Sequence, residues 1–299
     1  MNDPHAHRSH RRARPIPEPA AAPALAGAGI LAPLVALLLA GCGNGMLGDL
    51  PAKPLADEYG PGTRLCSALG PAVWEDAANT LSANCKETPD YNISVTGVTV
   101  VAIDTYDETG DGASGNYYVE DTTCAADMYA GITVFAPTFS PPALRVAVND
   151  VVDVAGSFTE FIGPSSGAFG NCKSLPEMSG AMSFRFDGQT PPKPIEIKDT
   201  DLKSYDSARP YLGMLVRVTG SPGVVIFGTP TSSKGRYSAA LNVGAVSQPD
   251  QPHITNELYD ILTDGPAMTT GTTFTAVTGI VTYFYGFHIV PRSPADFEP

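Results

Sequence analysis

Thr278-Gly279-Ile280-Val281-Thr282-Tyr283-Phe284-Tyr285-Gly286-Phe287-His288-Ile289-Val290 decides the fold, because part of it is written twice. Gly279-x-x-Thr282-x-Phe284-x-Gly286 repeats, 123 residues on, the pattern Gly156-x-x-Thr159-x-Phe161-x-Gly163. Val95-Thr96-Gly97 returns at the same offset as Val218-Thr219-Gly220. Gly97 and Gly156 are 59 residues apart, as are Gly220 and Gly279. Two separated matches at one offset imply a duplicated unit of about 100 residues.

The first copy reads as strands. Ile93 to Val101 alternates and is β-branched, Asn116–Glu120 and Gly131–Phe135 follow, and Asp150–Phe161 is a long strand. Ser183–Phe186 and Pro194–Ile197 read as strands closing that copy. About five strands per unit, with a long strand bent late at a glycine, predict a small Greek-key barrel of the OB type. The fold class is therefore all-β: two tandem OB-like barrels over 91–197 and 211–299, joined by a polar linker, 198–210. Before them, 42–62 reads as a flexible Gly- and Pro-containing tether and 63–90 as a helical cap, its helix running from about Pro71 to Asn84 with Trp74 packed beneath.

The N-terminus has the order of a cleaved export signal: Arg8, Arg11, Arg12 and Arg14, then an uncharged run from Leu25 to Ala40. The run contains Pro33 and is short for a spanning helix, which needs about 20 residues. Leu39-Ala40-Gly41-Cys42 resembles the lipobox of bacterial lipoproteins, which are cut before the cysteine and acylated on it. The resemblance implies a signal peptide over 1–41, lipid on Cys42 including palmitate, and, with Gly43 rather than Asp next, an outer-membrane anchor in the cell envelope. More than one acyl chain is needed for a stable anchor.

Cleavage removes four of the eighteen Lys and Arg and two of the thirty-one Asp and Glu, so the mature net charge is −15. That field repels phosphate backbones and argues against general nucleic-acid binding. Cys66, Cys85, Cys124 and Cys172 remain, an even number in an exported chain, which predicts two disulfides. Three connectivities are possible; proximity favours Cys66–Cys85 with Cys124–Cys172. Only His253 and His288 survive cleavage, each read as a loop or barrel-wall residue, and this scarcity argues against acid–base catalysis.

Two clusters stand out as candidate sites. Asp104, Asp107 and Asp111, with Gly112, gather oxygens in one inter-strand loop and form a candidate calcium site, the one cofactor expectation; a solvated loop is the plainer reading. Tyr283, Tyr285, His288 and Arg292 are candidate ligand-binding residues: read as a strand, Tyr283 and Tyr285 share one face and His288 the other, and one face is free to stack on bases or sugar rings. Arg292 also has Asp296 as a local partner. Gly163-Pro-Ser165-Ser-Gly167 matches a nucleophile-elbow pattern in letters only, since Pro164 lies within it and a further Gly follows.

The run from Tyr211 to Gly220, with Thr278–Asp296 and its ending Pro291-Arg292-Ser293-x-x-Asp296, resembles the OB-type domains beside bacterial extracellular nucleases. The resemblance covers 211–298 well and 91–197 more loosely. It implies the fold and not the neighbour's activity. The expected function is a non-enzymatic binding or structural module held at the membrane by lipid, with an unknown protein or polymer as ligand. The alternative is an accessory subunit binding single-stranded nucleic acid or glycan for a separate hydrolase.

Overall fold

The computed structural model describes residues 64–70, 91–110, 116–125, 127–135, 147–170, 173–179, 184–189, 191–244 and 251–299. Cys42, Trp74, Cys85, Asp111, Cys172, the tether and the expected Pro71–Asn84 helix lie outside them. Among the described residues no helix is long and apolar enough to cross a membrane.

The chain is mostly β, with a closed five-strand barrel and a second sheet. The barrel runs β1 (Tyr91–Ile103), β2 (Tyr117–Glu120), β3 (Gly131–Val134), β4 (Asp150–Phe161) and β5 (Leu175–Ser179). Its order is β1-β2-β3-β5-β4, and β4 pairs back onto β1 to close the ring. β3 and β5 are parallel while the other neighbours are antiparallel. β6 (Phe184–Gln189) adds outside the ring along β4. Val95, Val98, Val100, Tyr117, Val119, Ile132, Val134, Val152, Val154 and Met178 fill the inside. They are the alternate residues of β-branched strands, as period-two patterning requires.

The second sheet holds β7 (Ile195–Lys198), β8 (Leu215–Val225), β9 (Thr231–Ser233), β10 (Arg236–Ala240), β11 (His253–Thr255), β12 (Thr273–Tyr283), β13 (Phe287–Val290) and β14 (Phe297–Glu298). Its order is β7-β8-β12-β13-β11-β10-β9, with β14 on β12. β11 and β13 are parallel. A bridge between Ile226 and Leu241 joins the end of β8 to the end of β10, flanked by hydrogen bonds from Phe227 N–H to Ala240 O and from Asn242 N–H to Val225 O.

Several expectations shift. Ile195–Lys198 does not close the first copy; β7 runs parallel to β8 and belongs to the second sheet. The segment 198–210 is built of short helical turns, including α2 (Tyr205–Ala208), and its Leu202, Tyr205 and Ala208 are buried in the core. The hydrophilic letters misled because Arg209 is buried by pairing with Glu160: Nη2 donates to Oε1 at 2.6 Å and Nη1 to Oε2 at 3.1 Å. Gly156 and Gly279 do not bend their strands through special dihedrals. Each leaves room for a neighbouring strand, since a Cβ would come within 2.9 Å of Ser179 O or 2.8 Å of Val290 O. Gly97 and Gly220 both lie where the register of the first long strand shifts against its partner.

The disulfide pairing by proximity is overturned. Cys66 bonds Cys124, with Cα atoms 5.9 Å apart. Cys66 sits on α1 (Leu65–Ala68), whose Leu65 and the following Leu69 are buried in the first barrel's core, and Cys124 sits between β2 and β3. A barrel brings its end loops over whatever plugs it, so closeness in sequence was a poor guide.

Candidate functional site

The barrel and the second sheet press face to face. Val101, Ala102 and Tyr118 of the barrel pack with Leu215, Ile280 and Val290 of the second sheet and with Leu258. Glycine makes the approach possible: a Cβ on Gly131 would lie 2.4 Å from the Gly213 carbonyl carbon, and Gly213 has φ +77°. Glu120 in β2 accepts the Leu215 N–H at 2.9 Å, and Tyr129 N–H donates to Pro210 O at 2.7 Å. Arg292, read as a candidate ligand residue, is held by Asp296 at 3.0 and 3.2 Å and donates to Val101 O at 3.3 Å. Its guanidinium serves this contact.

Beside the apolar contact the two faces diverge into a cleft of about 420 Å³, within the range of about 300–1,000 Å³ usual for small-molecule sites. One wall is a row across the first barrel: Tyr118 in β2 lies opposite Thr133 in β3, which lies beside Glu177 in β5. Ile132 and Val134 point into the barrel, so Thr133 faces outward. Asp104 and Glu108, after β1, form the lip. The facing wall belongs to the second sheet and the residues after β11: Arg236 and Ser238 of β10, Thr255 of β11, Asn256, Glu257, Thr282 of β12 and His288 of β13.

The cleft is short of positive charge. Asp104, Glu108, Glu177 and Glu257 line it against Arg236 and His288. Arg236 lies 3.4 Å from Glu108 and stacks on Phe284, its guanidinium carbon 5.6 Å from the ring centre. His288 Nδ1 is 2.5 Å from Glu257 Oε1, which also accepts the Thr255 hydroxyl at 3.1 Å. Burial pushes the Asp104 carboxyl up to about 7; the Tyr106 N–H pulls the other way, and Glu108, Glu257 and Asp107 push it further up. Burial likewise raises Glu108. Burial also acts to raise Glu257, but the His288 charge and the hydrogen bonds outweigh it and hold that carboxyl below its usual range. The Tyr118 phenol is pushed up by burial and then by Glu257, Asp104, Glu177 and Glu108, so all four carboxylates surround it.

The candidate residues divide. His288 and Tyr283 line the cleft. Tyr283 and Tyr285 do not share a face: β12 ends at Tyr283, which is buried against Tyr205, Phe169 and Phe287. Tyr285 sits in the turn with φ +59°, 45% exposed, its hydroxyl donating to Gly167 O at 2.7 Å. The tight reversal at Phe284–Gly286 ends the alternation that a continuous strand would have carried. The Gly163–Gly167 run is the loop after β4, and the next element named among the described residues is β5. Of the calcium candidates, Asp104 lines the cleft and accepts its own loop's Tyr106 N–H at 3.2 Å, while Asp107 accepts the Gly110 N–H at 2.9 Å.

His253 and His288, 35 positions apart in sequence, are register partners on parallel strands. Both are wall residues. His253 Nδ1 is 2.7 Å from the Ser238 hydroxyl, and burial, then the His288 charge, lowers its ring to about 4. So low an affinity for protons makes it a weak base for activating that serine. Sequence reading missed Tyr118, Thr133, Glu177 and Glu257. Their one signal was polarity inside apolar strands, as with Thr133 between Ile132 and Val134.

No family model and no curated protein matches the chain. A solved structure described as "Structural mimicry for functional antagonism" aligns with 70% of this chain and 95% of its own, at 9% identity and a TM-score of 0.29. A likeness that weak carries no argument.

Proposed function

We propose that this chain is an outer-membrane lipoprotein, anchored through Cys42 and the lipobox before it, whose two OB-like barrels form a non-enzymatic binding module with its site in the cleft between them. The reading of tandem OB-type barrels is supported by the ring order β1-β2-β3-β5-β4 and its parallel β3–β5 pair. It is supported again by the order β8-β12-β13-β11-β10 with a parallel β11–β13 pair and the Ile226–Leu241 bridge.

The observation that carries the binding reading is where the cleft falls. OB-type barrels take ligands on strands 2 and 3 and the loops at their rim. Here Tyr118 and Thr133 come from strands 2 and 3 of the first barrel, and Ser238 and Thr255 from the corresponding strands of the second. Two such faces turned toward each other make one site. Of the accessory-subunit alternatives, the carboxylates favour glycan over single-stranded nucleic acid, because they repel phosphate.

Two measurements test this. Labelled palmitate is expected in the wild-type protein and absent from Cys42→Ala; equal labelling of both refutes the anchor. Amide exchange of the protein in its native envelope is expected to be slower at 116–119 and 253–257 than in the purified chain. Equal exchange there refutes a ligand in the cleft.

A further inference from the structure

The Thr133 side chain is 4% exposed, faces the cleft, and its hydroxyl meets no hydrogen-bond partner. Buried hydroxyls are satisfied in the great majority of cases, and a lone one in a cleft points to a group that arrives from outside. In the same cleft stand Glu177 on the neighbouring strand, Asp104 and Glu108 at the lip and Glu257 on the facing wall. Aromatic surface lies at hand: Phe135 and Phe284 line the same cleft at 40% and 37% exposure, and Tyr118 stands among the carboxylates.

We propose that the cleft binds a small organic amine with more than one ammonium group, one received by the Thr133 hydroxyl and the others by the separated carboxylates, its body laid against the Phe135 and Phe284 rings. The proposal rests on the cleft being the module's binding site. An ammonium group donates up to three hydrogen bonds and accepts none, which matches a wall of acceptors. Cations also favour aromatic faces. A single metal ion fits less well. Among the described residues, the three-membered groups of acid, cysteine and histidine with ligand atoms within 4.8 Å of one another are confined to Cys66, Asp121 and Cys124, whose sulfurs are bonded to each other. The cleft's carboxylates stand too far apart to close around one ion, and suit a ligand that spreads its donors over several ångströms. Two sources supply this chemistry, linear polyamines and amino sugars.

Calorimetric titration of the purified full chain at pH 7 tests it with spermidine, the glucosamine disaccharide, its N-acetylated form and calcium chloride. Spermidine or the glucosamine disaccharide, or both, is expected to bind, and which of them does so identifies the source. Acetylation is expected to weaken the disaccharide at least tenfold. Thr133→Val, which keeps the shape and removes the hydroxyl, is expected to weaken the amine several-fold without lowering the melting temperature, and Asp104→Asn about tenfold. Binding is also expected to release protons, since a cation favours ionised carboxylates; the observed heat then varies with the buffer's ionisation heat. Equal affinity for the acetylated disaccharide overturns the amine and leaves a binding cleft standing. Silence from both amines, amine binding unchanged in Thr133→Val and Asp104→Asn, or calcium competing fully with the amine at equal concentration overturns the proposal outright. Envelope protection of 116–119 and 253–257 separates these failures from failure of the cleft itself.

Discussion

Cutting the Glu160–Arg209 pair asks whether the barrel and the second sheet unfold as one body. Glu160 lies near the end of β4 in the barrel, and Arg209 lies in the segment leading to β8 of the second sheet. Both side chains are 2% exposed. The pair is bidentate, and the Ser174 hydroxyl adds a third bond to the carboxylate at 2.8 Å. Replacing Glu160 with alanine removes that counter-charge from a buried guanidinium, and breaking such a pair from one side costs about 3–5 kcal/mol. Replacing both, as Glu160→Leu with Arg209→Met, removes the desolvation cost along with the attraction and is expected to recover most of the loss. Urea unfolding followed by circular dichroism gives the numbers. The wild type is expected to unfold in one transition, because the core that holds Leu212 and Met214 also takes in Ala130 and Leu175. Glu160→Ala is expected to unfold at a lower midpoint with the double variant in between. A loss below about 1 kcal/mol in Glu160→Ala, outside that range, or two separated transitions in the wild type, refutes the reasoning.

Burial pushes the Glu120 carboxyl up to about 7 from its ordinary 4.5. An acid raised in the folded state stabilises fully below its unfolded value and loses that contribution as pH rises through the folded one. Stability is therefore expected to fall by about 3 kcal/mol between pH 4.5 and 8 on this group's account, and Glu120→Gln, which keeps the acceptor for Leu215 N–H, to flatten the curve; identical curves for both proteins refute it. Non-reducing peptide mapping is expected to join Cys66 to Cys124. Removing that link by Cys66→Ser with Cys124→Ser is expected to cost about 4 kcal/mol from loop entropy alone, given the separation of 58 residues; a Cys66–Cys85 peptide or an unchanged melting point counts against it. Gly213→Ala, at φ +77° and with its Cβ 2.5 Å from the Ile132 nitrogen, is expected to loosen the barrel contact. Faster amide exchange at 131–133 is the readout, and unchanged exchange sinks the idea.

Much of the strand content was legible because alternation is a local signal. Val98 and Val100 inside with Thr99 between them, or Ile132 and Val134 around Thr133, announce a one-sided strand without any partner in view. The repeat was legible for a different reason. Gly156 and Gly279 answer to the backbone of the next strand, so the same letter is demanded at the same place in each copy. What was not legible depended on partners distant in sequence. Arg209 looked like a linker charge because Glu160 is 49 positions away. Cys124 gave no sign of preferring Cys66. Tyr285 kept the period of a strand while its backbone had already turned.

The cleft belongs to that second class, and its origin explains why. Neither the barrel nor the second sheet needs Thr133, Glu177, Glu257 or His288 for its own core, since their neighbours Ile132, Met178, Phe287 and Ile289 do that work. The outward positions take on meaning only when two outer faces are locked together, and the lock is made elsewhere, by Gly131 against Gly213, Glu120 on Leu215, and Arg292 on Val101. A barrel and a sheet joined by a floating linker would leave these residues as ordinary surface. A fixed pair makes them the walls of one cavity, holds Asp104 among other carboxylates, and keeps Thr133 from water. Loosening the lock should therefore lower affinity in the cleft even when no cleft residue is changed, which links the Gly213→Ala exchange measurement to the amine titration: a variant with faster exchange at 131–133 and undiminished binding would separate the site from the interface and refute that dependence.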